Sequence, residues 1–284
     1  MQYDILIIGG GAAGIAAAKA TAGAKVLLVE RKKELGGVLL QCTHHGFGKD
    51  QSGIAYAAEL RKEIPANVEL ALDTTVLSVS ADRTAELAGK TFGRKTVRFS
   101  QLILATGCRE IPMGALSIAG TRPHGIYTAG QMQEMMNLHG HIPNDPVVIL
   151  GSGDLGLMMA QQLAEVGVAV KLVEQKDHCG GMAKNQRCLS RYPIELICNV
   201  TVTEVCGAPA LSSVVLSNGR KLPCATLLIA AGLRPERELV HNVGASSWLH
   251  ICGNCNRIHP MVEAVIHEGT EAGNAACRNI RGNL

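Results

Sequence analysis

The sequence predicts an α/β fold in which one βαβ unit occurs twice, and three features carry the prediction. The first is the run Asp4-Ile-Leu-Ile-Ile-Gly9-Gly-Gly11-Ala-Ala-Gly14, followed by a small-residue helical stretch and Lys25-Val-Leu-Leu-Val-Glu30. The second is the same order again, Val147-Val-Ile-Leu-Gly151-Ser-Gly153-Asp-Leu-Gly156, a helical stretch, then Ala169-Val-Lys-Leu-Val-Glu174. The third is a pair of apolar runs ending in small-residue turns, Ser100 to Gly107 and Ala225 to Gly232, one behind each unit. Each unit reads as a buried strand, a G-x-G-x-x-G turn, a helix and a second strand ending in an acid 21 or 23 residues after the first glycine. One such turn is a weak signal. Strand before, helix after and an acid about 20 residues on, all occurring twice, form a strong one.

The chemistry of the turn names the ligand class. Gly9 and Gly151 permit the sharp turn, while Gly11 and Gly153 keep Cβ atoms out of the path of a pyrophosphate. Gly14 and Gly156 let helix and strand pack closely. Free N–H groups and the helix dipole at each turn then hold phosphate. Glu30 and Glu174 are placed to accept from adenosine ribose hydroxyls. Two Rossmann-like units imply two dinucleotides, and a chain holding two usually passes electrons between them. The bland alternative is that one copy is an empty scaffold.

Composition sets the limits. At 284 residues and 29.9 kDa the chain has length for two domains, each with its own core. A hydrophobic fraction of 47% with 18% charged residues excludes disorder, and a net charge of +3 gives no reason to expect nucleic acid. No apolar run reaches the ~18 residues of a membrane span. The N-terminal apolar run is already the first strand, so no signal peptide is expected. Ten scattered cysteines fit reduced thiols and a cytoplasmic location.

Between fingerprint and turn, short alternating runs predict strands at Val76 to Ser80 and Thr96 to Phe99, then at Val200 to Val205 and Ser212 to Leu216. Regular structure breaks at Leu116 to Arg122, which predicts the crossing into the second domain. A last strand (Trp248 to Cys252) and a helix from Pro260 to about Arg278 are predicted to return the chain to the first.

This order of motifs resembles the two-dinucleotide-binding-domain flavoproteins, the pyridine nucleotide–disulfide oxidoreductase superfamily, over essentially the whole chain. The resemblance implies two Rossmann-like domains, an FAD domain of residues 1–116 and 239–284 and an NAD domain of 117–238 inserted into it. Cofactor contacts carried over to the first fingerprint and its surroundings are Gly9, Gly11, Ala12, Ala13, Gly14, Glu30, Arg31, Gly37, Val38, Val76, Ala105, Thr106, Gly107, Gly253, Asn254 and Met261. Those carried over to the second are Gly151, Gly153, Asp154, Leu155, Gly156, Glu174 and Gly232. The wording Leu35-Gly-Gly-Val-Leu-Leu-Gln41-Cys42-Thr-His44-His-Gly-Phe-Gly48 narrows the likeness, as do Gly107-Cys-Arg-Glu-Ile-Pro and Gly125-Ile-Tyr-Thr-Ala-Gly130. They resemble a bacterial subgroup often associated with partner subunits of glycerol-3-phosphate dehydrogenase or amino-acid dehydrogenase type.

The departures matter. Only Cys42 follows the Gly36-Gly37 pair, where disulfide reductases carry C-x4-C, and Met132 to Pro146 holds no cysteine. The closing motif reads Gly253-Asn254 rather than Gly-Asp; asparagine keeps hydrogen-bonding capacity and lacks the charge. Cys252-Gly-Asn-Cys255 has the spacing of redox dithiols and of zinc sites. A second ligand pair is absent, with only isolated Cys188, Cys198 and Cys277, and an incidental spacing is the weightier reading. Cys42 and His44 are candidate catalytic groups, since the resemblance runs this segment along the flavin. A packed thiol and a hydrogen-bonded imidazole are the equal alternative.

The function expected is FAD-dependent hydride exchange with NAD(H), with electrons passed to a second acceptor in a complex with a partner dehydrogenase. A homo-oligomer is compatible with the sequence, and no metal is called for. The rival is a non-catalytic, nucleotide-holding component of such a complex.

Overall fold

Ile5, Leu6, Ile7 and Ile8 give the first strand no polar face, so it belongs in the middle of a parallel sheet covered on both sides. In the computed structural model, which describes residues 1–62, 64–90 and 92–282, it lies there. Gln2–Ile8 pairs in parallel with Val26–Val29 on one side and with residues 98–104 on the other. Val68–Ala71 extends the sheet beyond Val26–Val29, and Leu249–Ile251 pairs in parallel with Leu102 to Leu104. Ile5, Leu6 and Ile7 are fully buried. Each such side chain contributes about 1.5–3 kcal/mol by leaving water.

The chain divides into two compact units, Met1–Arg109 with Arg234–Leu284, and Glu110–Leu233. Both crossings come earlier in the sequence than the expected 116/117 and 238/239. Met113, Leu116 and Ile118 pack in the core of the second unit, so the stretch from Leu116 to Arg122 is already inside it and carries the short strand Ala119–Gly120. On the return, Val240 lies in the core of the first unit, and Glu236 N–H donates to the Gly107 carbonyl at 3.0 Å.

In the first unit, Gly93–Leu104 is longer than the strand expected at Thr96 to Phe99 and serves two further partners besides Gln2–Ile8. Its first half runs antiparallel to Thr84–Gly89 and its last residues parallel to Leu249–Ile251. Thr84–Gly89, a strand that no sequence pattern announces, pairs in turn with Thr74–Ser80. It holds no β-branched residue after Thr84, and only Ala85 and Leu87 alternate inward. The strand expected at Trp248 to Cys252 is trimmed to Leu249–Ile251, and the closing helix spans Val262–Arg281.

Helix Ala12–Lys19 is built from alanine and glycine because it is covered on every side; Ala12 through Ala18 are all buried. The closing helix lies directly against it. A Cβ on Gly269 would stand 2.2 Å from the Ala13 carbonyl oxygen, and one on Gly273 would stand 2.4 Å from that of Ala17. Residues four apart share a helix face, so these two glycines form a flat strip for the partner helix.

The second unit repeats the plan. Ile126–Thr128, Thr226–Ile229, Val147–Leu150, Val170–Val173 and Glu195–Ile197 form a parallel sheet in that order. Ala119–Gly120, Val202–Cys206, Ser213–Leu216 and Lys221–Pro223 make a second sheet. Helix Ala129–His139 is closed by a capping box of Thr128 and Gln131. Glu110 adds to the cap, accepting from the Thr128 hydroxyl and from Gly130 N–H at 2.8 Å. Residues of the separated runs Gly107 to Pro112 and Gly125 to Gly130 thus meet at one helix end.

Candidate dinucleotide-binding sites

Both fingerprints fold to the same geometry. Gly9 and Gly151 take φ of +106° and +109°, a conformation open to glycine, and each presses on the neighbouring strand. A Cβ there would stand 2.4 Å from the carbonyl oxygen of Ala105 in one copy and of Ala230 in the other. Gly14 and Gly156 leave room for the turn itself: a Cβ would come within 1.8 Å of Gly9 O and 2.2 Å of Gly151 O. Gly11 and Gly153 face open space. A Cβ would meet nothing nearer than Gly37 Cα at 4.0 Å in the first, and nothing within 4 Å in the second.

Those two glycines are the N-caps of Ala12–Lys19 and Asp154–Glu165, and neither helix has a side-chain cap. The first helical bonds are Ile15 N–H to Gly11 O and Leu157 N–H to Gly153 O. The N–H groups before them therefore point out of each turn without helical partners. Gly53–Arg61 and Ala129–His139 are closed instead by the Ser52 hydroxyl and by Thr128, while the last helix, Val262–Arg281, shares the uncapped start without the glycine turn. Two uncapped helix starts fronted by open space fit phosphate groups.

The terminal acids brace the turns. Glu30 accepts from Gly10 N–H at 2.7 Å and Lys32 N–H at 2.8 Å. Glu174 accepts from Ser152 N–H at 2.9 Å, Lys176 N–H at 3.0 Å and, in addition, the Ser152 hydroxyl at 2.7 Å. Burial pushes the Glu174 carboxyl up, but those hydrogen bonds and the Lys176 charge outweigh it and hold it below its usual value. Ser152, whose hydroxyl is the extra donor, has no signal in the sequence, because the middle position of the motif carries no rule.

The other expected positions fall around the first turn. Ala12 and Ala13 open its helix, and Gly37 stands beside Gly11 while Val38 is 62% exposed. Ala105 follows the strand behind Gly9. Thr106 donates to the Glu236 carbonyl at 2.5 Å, Arg31 lies 3.6 Å from the Glu236 carboxylate, and Gly107 faces open space. Val76 is a core residue, packed in the cluster with Leu27 and Val29. In the second unit, Leu155 is half-buried in the first helical turn, and Gly232 takes φ +120° next to Ile111.

At the closing motif, Gly253 takes φ +68° and Met261 is the exposed N-cap of the last helix. Asn254 uses its Oδ1 to accept from His259 N–H at 3.0 Å, leaving the Nδ2 donor for a ligand. The residue that organises this loop is Glu268, for which the sequence offers only a helical acid. It accepts from Gly253 N–H at 2.8 Å and Arg257 Nε at 3.1 Å, with His259 Nε2 3.0 Å away and off a good hydrogen-bond line. Its carboxyl is raised by burial, then held below its usual range by His259, Gly253 and Asn256.

The cysteines weighed for chemistry at two places take a quiet form. Cys42 is buried and donates to Val38 O at 3.3 Å. Burial pushes its thiol up to about 11, so it is protonated at neutral pH. His44 is exposed and rests against Phe47, ring centroids 5.1 Å apart. Cys252 and Cys255 both donate to the Leu104 carbonyl from within the core, and burial raises the Cys252 thiol far above its usual value. All ten cysteines are free thiols. Among the described residues, no cluster of His, Cys, Asp or Glu is arranged for a metal ion, and no helix is long and apolar enough to cross a membrane.

The model of the pyridine nucleotide-disulphide oxidoreductase family matches residues 3–248, both fingerprints included. The chain belongs to that family. Its members are FAD-dependent NAD(P)H oxidoreductases, and FAD and NAD(P)H are the cofactors the two turns fit. An opine oxidase subunit from Agrobacterium tumefaciens is 28% identical, over 85% of this chain and 54% of its own length. Thioredoxin reductase from Treponema pallidum is 25% identical, over 94% and 88%. A crystallised thioredoxin reductase from Lactococcus lactis superposes with a TM-score of 0.80 at 18% identity, covering 99% of each chain, which speaks for the fold alone. The chain spans about half the length of several relatives it matches.

Proposed function

We propose that the chain exchanges hydride between NAD(H) and FAD and relays the electrons to a second acceptor, as one component of a dehydrogenase complex. FAD goes to the unit of Met1–Arg109 and Arg234–Leu284, and NAD(H) to Glu110–Leu233. The observation that carries this reading is the pair of uncapped, glycine-fronted helix starts, each braced by a strand-end carboxylate. Bound FAD supplies a two-electron hydride acceptor that can release electrons singly or in pairs. The protein's part is binding and orientation. Gly11 and Gly153 admit the pyrophosphates, Glu30 and Glu174 offer their remaining lone pairs to ribose, and Asn254 Nδ2 is left to donate to the ribityl chain.

The lone Cys42 behind Gly36-Gly37 and the burial of Cys252 and Cys255 support a route without a redox disulfide. The opine oxidase relative, itself one component of an oxidase, supports a partner that oxidises a small hydroxy or amino acid. Purified protein is expected to be yellow, to bleach on anaerobic addition of NADH, and to pass electrons to an artificial dye. A colourless protein, or a yellow one that NADH leaves unchanged, defeats this reading and favours a structural role in the complex.

A further inference from the structure

The repeat runs past the terminal acids. Glu30-Arg-Lys-Lys-Glu-Leu35-Gly36-Gly37-Val38 and Glu174-Gln-Lys-Asp-His-Cys179-Gly180-Gly181-Met182 share the acid, a glycine pair at the same distance, and an apolar residue after it. Val38 and Met182 are both exposed. In each copy the first glycine of the pair donates to the middle residue of the nucleotide turn. Gly36 N–H reaches the Gly10 carbonyl at 2.8 Å, and Gly180 N–H reaches the Ser152 hydroxyl at 2.9 Å. The second glycine lies against the end of the turn. A Cβ on Gly37 would stand 3.0 Å from Gly11 Cα, and one on Gly181 would stand 3.2 Å from Asp154 N.

The copies differ in what holds the loop down. The first has Ala12 at the start of its helix, and the second has Asp154. Oδ1 of Asp154 accepts from Met182 N–H at 2.8 Å and from Asn185 Nδ2 at 2.7 Å, so one oxygen ties two points of the loop to the turn. Cys179 Sγ adds a weak bond to Ser152 O at 3.6 Å. A carboxylate at a helix N-terminus is favoured by the dipole, yet it repels a phosphate brought to the same place. A group that only carried charge would therefore hinder an anionic ligand, whereas one that positions a loop can help it.

We propose that Asp154 is a positioning residue that latches Cys179 to Gln186 over the second turn as a clasp, so that this unit holds a pyrophosphate between turn and loop as the first unit does. The inference rests on the reading that Glu110–Leu233 binds NAD(H). Titration calorimetry on the FAD-loaded protein, with ADP-ribose and with AMP, tests it in wild type, Asp154→Ala and Asp154→Asn. The alanine variant loses both bonds and is expected to bind ADP-ribose about tenfold more weakly. AMP, which has no pyrophosphate, is expected to bind unchanged. The asparagine variant keeps an Oδ1 acceptor and is expected to restore ADP-ribose binding. Asn185→Ala, which leaves the turn untouched, is expected to shift binding the same way by less. Unchanged ADP-ribose binding in both Asp154 variants would overturn the clasp, and tighter binding in both would overturn it in favour of a charge effect. Equal losses for AMP and ADP-ribose would also overturn it. Wild type that binds neither ligand would instead overturn the nucleotide reading, and the clasp with it.

Discussion

Glu174 and Cys42 show how far a residue's role follows from its partners. Glu174 gives three acceptor positions to its own turn and leaves room for one ribose hydroxyl, whereas a 2′-phosphate would meet its charge. Of the two lysines placed to offset part of that repulsion, Lys171 is paired with Glu195 instead, and Lys176 acts on the Glu174 carboxylate itself. NADH is therefore expected to be preferred to NADPH, with Glu174→Ala narrowing the ratio of kcat/KM values; a wild-type preference for NADPH would contradict it. The carboxyl lies below its usual value of 4.5, so its stabilising contribution is present above that pH and is lost as pH falls through the lower folded value. Acid melting curves of wild type and Glu174→Gln should accordingly draw together as pH falls below the usual carboxylate range. Cys42 has the opposite sign. Its thiol titrates at about 11 in the fold against 9.0 ordinarily, so its contribution holds below pH 9 and disappears between there and 11. Cys42→Ser is expected to keep NADH-dependent bleaching, and iodoacetamide labelling of Cys42 in the native protein near neutral pH should be slow. Rapid labelling, or loss of bleaching in the serine variant, would return it to the chemistry.

At the scale of elements, legibility followed burial. Strands such as Gln2–Ile8 and Val147–Leu150 carry apolar runs that are plain in the sequence, as are the turns that follow them. Thr84–Gly89 is not, because a meander strand with one covered face and no branched run resembles a loop. The Glu268 hub is hidden for another reason: its partners lie 9 to 15 residues upstream, in a loop whose path no periodicity sets. Two substitutions separate the roles of the closing helix. Gly269→Val places a side chain against the Ala13 carbonyl. It is expected to cost about 2 kcal/mol or more in urea unfolding. Glu268→Gln keeps the helix contact and weakens the bonds to Gly253 and Arg257. It should speed FAD loss on gel filtration while leaving ADP-ribose affinity unchanged; unaltered FAD retention would limit Glu268 to the helix surface.

For the whole molecule, the division into two units has a measurable consequence. Each unit has its own buried clusters, with Ile5, Ile15 and Ile103 in one and Ile149, Leu157 and Leu172 in the other. A ligand that binds only the folded form of one unit stabilises that unit by RT ln(1 + [L]/Kd), about 2.7 kcal/mol at a hundredfold excess over Kd. FAD and ADP-ribose should therefore protect different segments from amide hydrogen exchange. FAD is expected to slow Gly9 to Gly14, Gly36 to Gln41 and Gly253 to His259, segments far apart in sequence and joined in the first unit. ADP-ribose is expected to slow Gly151 to Gly156 together with Gly180 to Gln186, and to leave the FAD segments unchanged. In Asp154→Ala the turn should still gain protection from ADP-ribose while Gly180 to Gln186 does not. Uniform protection of the whole chain by either ligand would mean that the units open as one cooperative block. The assignment of a separate dinucleotide to each would then need direct ligand titration rather than exchange.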